Sequence, residues 1–179
     1  CSVNQGRGEN YEAASTAYSA LAEKSLDLLA GLNVDSWASM LIDSVVYYFP
    51  EGDVKTCRKL NGKKAVLDWW KSYISSSGIV SMSIENATYM PIHLQNGIRP
   101  SDLPGTQVIA YFSNKLVYDR GAVSVKMNFV IHFDEAKMID GYYTYYDRAT
   151  INQVFNQPAA CSDSAISVAP TRPDSQFSL

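Results

Sequence analysis

The chain has 179 residues, of which 46% are hydrophobic; that is enough for one domain with a core that needs no covalent staples, plus a tail. Its net charge is -3, with acids and bases mixed along the chain, which excludes the one-signed footprint of a nucleic-acid-binding protein. There is no apolar run of membrane-spanning length, no zinc-ligand spacing and no glycine-rich phosphate loop, so no cofactor or metal is expected.

Residues 9–30 read as a helix, because Tyr11, Ala14, Tyr18, Leu21, Leu28 and Leu29 recur at three- and four-residue steps. Gly31 is a natural stop. Asn33 can cap a short second helix carrying Trp37, Met40 and Leu41. The β-branched and aromatic run 44–49, ended by Pro50, reads as a strand. Residues 51–60 read as a loop. Asn61 and Gly62 open a third helix through Ile74, with Val66, Trp69, Trp70, Tyr73 and Ile74 as its apolar stripe.

After Gly78 the apolar period changes from about 3.6 to 2. Val80, Met82, Ile84 and Met90 alternate with polar residues over 79–94, and a Gly- and Pro-containing loop over 95–105 follows. In the next strand Val108, Ala110, Phe112, Asn114, Leu116 and Tyr118 share one face. Past the turn at Asp119, Arg120 and Gly121, the same holds for Val125, Met127, Phe129, Ile131 and Phe133, with His132 opposite. A second turn at 134–137 leads into a last strand over 138–146. Asp147 then opens a short helix with Ile151, Val154 and Phe155. The organisation is an N-terminal tether (1–8), one domain (9–157) and a Ser- and Pro-rich tail (158–179). Short links make the sheet mostly antiparallel, and helices gathered toward the N-terminal side make the class α+β.

The cysteines are Cys1, Cys57 and Cys161. Cys1 followed by a polar, Gly-containing stretch is similar to the mature start of a bacterial lipoprotein. That reading expects a lipid on Cys1 as the protein's membrane contact, and an exported, periplasmic or membrane-anchored protein of a Gram-negative bacterium. The alternative is that the sequence begins there for no structural reason. Export would allow a Cys57–Cys161 disulfide; the alternative is two free thiols.

Three stretches carry a family resemblance. Residues 28–50 (LLAGLNVDSWASMLIDSVVYYFP), 60–73 (LNGKKAVLDWWKSY) and 128–151 (NFVIHFDEAKMIDGYYTYYDRATI) resemble the opening, third helix and final hairpin of the nuclear transport factor 2-like superfamily, especially its SnoaL-like polyketide cyclase branch. The resemblance implies a cone-shaped, strongly curved sheet, with three N-terminal-side helices over the concave face and a pocket between them. The superfamily contains isomerases, dehydratases, cyclases, epoxide hydrolases and non-catalytic members. The two carboxylates of its steroid isomerases fall here at Phe49 and Phe129, and their first-helix tyrosine falls near Ser25. A phenyl ring shuttles no proton, so the resemblance implies that this isomerase mechanism is absent.

In such a cone, Phe49, Trp69, Trp70, Tyr73, Phe112, Asn114, Phe129 and Ile131 are expected at the pocket, joined by Tyr143 and Tyr145, which share parity with Asp147. The same rings could simply fill the core. Asn114, at an inward position, must find partners in a ligand, a tyrosine hydroxyl or water; Asn86 repeats that argument in weaker form. Asp147 is a helix cap or a pocket base, and Asp43 has a structural role. His132 and His93 have no partner spacing that implies a metal or a relay. Three functions follow: a non-catalytic binder of a small apolar or aromatic ligand; a cyclase, isomerase or dehydratase with Asp147 as base; or a docking module. A homodimer is expected through the convex face, which should carry Tyr111, Val117, Val130, Tyr142 and Tyr146.

Overall fold

The computed structural model describes residues 11–50, 58–95 and 104–156. The element order is β1 (Tyr11–Ala13), α1 (Ala17–Ala30), α2 (Val34–Ala38), β2 (Leu41–Tyr48), β3 (Lys59–Asn61), α3 (Lys63–Ser76), β4 (Ile79–Leu94), β5 (Gly105–Tyr118), β6 (Gly121–Phe133), β7 (Ile139–Tyr146) and α4 (Arg148–Asn156). One curved sheet runs β1-β4-β5-β6-β7-β2-β3. Neighbours are antiparallel except β2 and β7, which run parallel. This is the α+β cone that the sequence implies. Cys1, Cys57 and Cys161, with the lipid and disulfide expectations attached to them, lie outside the described residues, as do the tether and the tail.

Local chemistry sets the element ends. The Gly31 N–H bonds the Asp27 carbonyl at 2.8 Å to close α1, and the Asn33 side chain accepts from the Ser36 N–H at 3.2 Å to open α2. The helix expected from residue 9 starts later. Tyr11–Ala13 instead extends the sheet by pairing with the far end of β4, Tyr11 opposite Leu94, where a strand edge offers partners that an isolated helical turn lacks. Tyr11 is therefore exposed, and α1 buries Ala22, Ser25, Leu26 and Leu29. Leu41 begins β2 rather than ending α2, and Lys59–Asn61 is a short strand rather than loop, because β2 provides a free edge to pair with.

The long strands bend at bulges. Asn86, at a positive φ of 54°, sits where β4 carries an extra residue against β5, between the pairs Glu85–Ser113 and Thr88–Tyr111. It is exposed, so the inward amide expected there is absent. On β5 and β6 the expected alternation is observed: Val108, Ala110, Phe112, Asn114, Leu116 and Tyr118 are buried, as are Val125, Met127, Phe129, Ile131 and Phe133.

β7 departs from expectation. Phe133 pairs with Ile139, but His132 pairs with Gly141, so Asp140 is one residue too many. The bulge reverses the parity of everything after it. Ile139 is buried, yet the inward residues beyond it are Tyr142 and Thr144, with Tyr146 partly buried behind them. Tyr143 and Tyr145 point to the other face, and Tyr145 is 58% exposed.

The extra residue is held by a partly buried ion pair. The Asp140 carboxylate lies 2.5 Å from His132 Nδ1, while His132 Nε2 meets the Pro104 carbonyl at 3.1 Å. Both partners are acceptors, so both ring nitrogens bond only when the imidazole is protonated. Burial opposes that charge, but the bond and charge of Asp140, with help from Pro104 and Asp134, outweigh it and raise the His132 pKa. The pair's contribution to stability is complete below the unfolded histidine value of about 6.5 and declines as pH rises through the higher folded value. Asp140→Asn is expected to cost about 2 kcal/mol near pH 5 and to flatten that decline; urea unfolding across the pH range measures both.

Candidate functional site

The inward faces of β4, β5 and β6, closed by α3 and α4, leave a cavity of about 110 Å³. Phe49 follows β2 directly. Helix α3 contributes Trp69, Trp70 and Tyr73; the sheet contributes Tyr47, Met82, Asn114, Leu116, Met127, Phe129 and Tyr146; and α4 contributes Arg148, Ile151, Asn152 and Phe155. A smaller chamber of about 30 Å³ shares Trp70, Met82, Asn114 and Phe129 with it and reaches Phe112 on β5 and Leu26 and Leu29 on α1.

The walls are largely aromatic because helical spacing puts Trp69, Trp70 and Tyr73 on one side of α3. Trp69 stacks on Tyr73 with centroids 5.3 Å apart and meets Phe49 edge-on at 4.8 Å. Phe112 and Phe129 pack edge-to-face at 5.1 Å, geometries that aromatic quadrupoles favour. The Arg58 guanidinium sits 4.6 Å over the Phe49 ring.

Beside Tyr47, Arg148 and Asn152, two sets of polar groups lie at the cavity. The Tyr73 and Tyr118 hydroxyls bond each other at 2.6 Å, and burial raises both phenols. Burial first, and then the nearby Tyr118, push Tyr146 up to about 12, against a smaller opposing effect of Arg58; these hydroxyls stay protonated near neutrality. The second set has no partner: Trp70 Nε1 and Asn114 Oδ1 are buried without a hydrogen bond. Asn114 Nδ2 points at Met127 Sδ, 3.9 Å away, which leaves its carbonyl unanswered. Among the described residues the cavity lining holds no Asp or Glu, and no three His, Cys, Asp or Glu side chains gather as metal ligands.

Of the expected pocket residues, Phe49, Trp69, Trp70, Tyr73, Asn114 and Phe129 line the main cavity, and Phe112 lines the smaller chamber. Ile131 is fully buried in the core, away from both. Tyr143 and Tyr145 are corrected by the Asp140 bulge: Tyr143 stacks on Tyr48 at 4.8 Å on the outer face, and Tyr145 faces solvent. Conversely Tyr142 and Tyr146, expected outside, are inside. Tyr142 closes a buried cluster in which the Trp37 indole N–H lies 2.9 Å from both Ser25 Oγ and the Tyr142 hydroxyl, and those two oxygens also bond each other. Ser25, where a family tyrosine is expected, is thus sealed in the core.

Asp147 is a cap. Its Oδ1 accepts from the Ala149 N–H at 2.8 Å and its Oδ2 from the Thr150 hydroxyl at 3.3 Å, and it is exposed. Asp43 lies on the surface, 3.4 Å from Lys63 Nζ, and His93 Nδ1 meets Thr106 Oγ1 at 3.1 Å. The sequence reading does not select Tyr47, Met82, Leu116, Met127, Tyr146 or the α4 residues. Leu116 and Met127 share strand parity with Phe112 and Phe129, a signal that was available; Tyr146 was masked by the bulge.

No family model and no curated protein matches this sequence. Solved structures do match its fold. A candidate polyketide cyclase from Xanthomonas campestris aligns with a TM-score of 0.58 at 13% identity, covering 76% of this chain and 96% of its own. A candidate isomerase from Bacillus subtilis gives 0.55 at 20%, with coverages of 77% and 91%. SalBIII, an epoxide hydrolase/cyclase-like enzyme in pyran ring formation in salinomycin, gives 0.55 at 12%, with 75% and 94%. The fold is the nuclear transport factor 2-like cone, in the form found in SnoaL-like polyketide cyclases.

Asp147→Ala is expected to destabilise the protein by about 1 kcal/mol through the lost cap. It should leave the affinity of any cavity ligand unchanged. Thermal unfolding with and without ligand reads both.

Proposed function

We propose that this chain binds a small, largely apolar or aromatic molecule in the cavity between β4–β6, α3 and α4, and that it does so without converting it. The observation that carries this reading is the cavity's composition. Its walls are rings and aliphatic side chains, with a few placed polar atoms, the usual make-up of a small-molecule site. The resemblance expects isomerase carboxylates at Phe49 and Phe129, and both side chains line the cavity as phenyl rings, which take up no proton. Asp147, the alternative base, has its carboxylate occupied by the start of α4.

An apolar cavity of about 150 Å³ holds benzene, and the main cavity together with the chamber that shares its lining comes close to that volume, so a ligand of one ring is the size expected. Single-ring aromatic compounds are expected to raise the melting temperature in a concentration-dependent way. Leu116→Trp, which fills the space from β5, should abolish that rise. A wild-type protein whose melting temperature no such compound moves would count against the proposal.

The outer sheet face supports a second element of the proposal, a contact between two copies of the chain. Tyr111, Asn128 and Tyr145 form one cross-strand row, and Tyr111 and Tyr145 are 51% and 58% exposed, so two rings on one face are open to a partner. Sedimentation should show a dimer at micromolar concentration that Tyr145→Glu shifts to monomer.

A further inference from the structure

We propose that the cavity's deep end is a hydroxyl-recognition subsite, formed by Trp70 Nε1 and Asn114 Oδ1, so that the ligand is an alcohol or phenol seated with its OH inward. This rests on the cavity-binding reading above and adds the chemistry of the ligand's buried end.

The two atoms belong to side chains that are each 9% exposed, and neither atom has a partner. Both side chains line the main cavity and the smaller chamber alike. The Tyr73 and Tyr118 hydroxyls satisfy each other. Buried polar groups in folded proteins are nearly always paired, so two unpaired ones on one cavity lining call for a partner, and a ligand group can be that partner.

The pair is complementary in kind. An indole N–H only donates, and an amide carbonyl only accepts. The amide orientation follows from its one contact, since turned over it would set its carbonyl against the Met127 sulfur in place of the Nδ2 donor. A hydroxyl lodged between the two would answer both atoms, accepting from Trp70 and donating to Asn114. A ketone or ether only accepts and leaves Asn114 unanswered. An ammonium only donates and leaves Trp70 unanswered. A carboxylate sets its lone pairs against the Asn114 carbonyl. Sites that hydrogen-bond a substrate hydroxyl reject the analogue that lacks it strongly, because the site's own groups are then left unpaired.

The test uses the full chain with phenol, methoxybenzene and toluene, by calorimetry and by the indole N–H resonance of Trp70. Phenol is expected to bind at least about tenfold more tightly than either analogue, a difference of about 1.4 kcal/mol, and to be the compound that moves the Trp70 resonance. Asn114→Leu should bring phenol and toluene to equal affinity. Should that variant not fold, Trp70→Phe, which removes the N–H donor and keeps an aromatic ring, makes the same comparison. Equal affinity of the wild type for phenol and toluene would overturn the hydroxyl subsite while leaving cavity binding intact. Binding of none of the three would remove both. A crystal structure with phenol elsewhere in the cavity and a water persisting on Trp70 Nε1 and Asn114 Oδ1 would assign the pair to structural water and overturn the proposal.

Discussion

Between Ile139 and Gly141 the last long strand carries one residue more than β6 beside it, and that residue, Asp140, is bound by His132. The choice of which tyrosines meet beneath the helices follows from this single irregularity. With it, Tyr142 enters the core to close the Ser25–Trp37 cluster, Thr144 turns inward to bond the Tyr48 carbonyl at 2.8 Å across to β2, and Tyr146 reaches the cavity. Without it, Tyr143 and Tyr145 would face inward, and the outer face would lose its aromatic rows. The surroundings fit the bulge closely. A Cβ on Gly141 would lie 3.2 Å from the Tyr143 ring, and one on Gly105, at a φ of +124°, would lie 3.0 Å from His132 Nε2. Both positions therefore suit glycine.

The core divides into a sealed part and an open part. On the sealed side Tyr142, Trp37 and Ser25 satisfy one another through three polar contacts. On the open side Trp70 and Asn114 keep polar atoms buried and unanswered, at a cost on the order of 1–3 kcal/mol each. Such groups call for a partner, and the proposed ligand is one that would supply it. The contrast separates core from site here more clearly than the aromatic composition does, since both sides are rich in rings.

The neighbouring structures fix the architecture, and at identities of 10–20% they fix nothing finer. One cone can hold unrelated chemistries, because the reacting groups are side chains set on a common frame. Here that frame presents phenyl rings at Phe49 and Phe129, tyrosines whose hydroxyls remain protonated, and a donor–acceptor pair at depth.

The sequence by itself determined the helices, the long strands, the inward faces of β5 and β6, and the α3 stripe of Trp69, Trp70 and Tyr73. These follow from local periodicity and turn chemistry, which act over a few residues. It also placed Asn114 inward, and it named the cap as one of two roles for Asp147. Only the tertiary structure decided the orientation of Tyr142 to Tyr146, the strand character of Tyr11–Ala13, and the missing partner of Trp70. A bulge changes strand parity without changing the hydrophobic pattern, an edge strand is chosen by the neighbour it pairs with, and an unsatisfied hydrogen bond is defined by atoms that lie far apart in the chain.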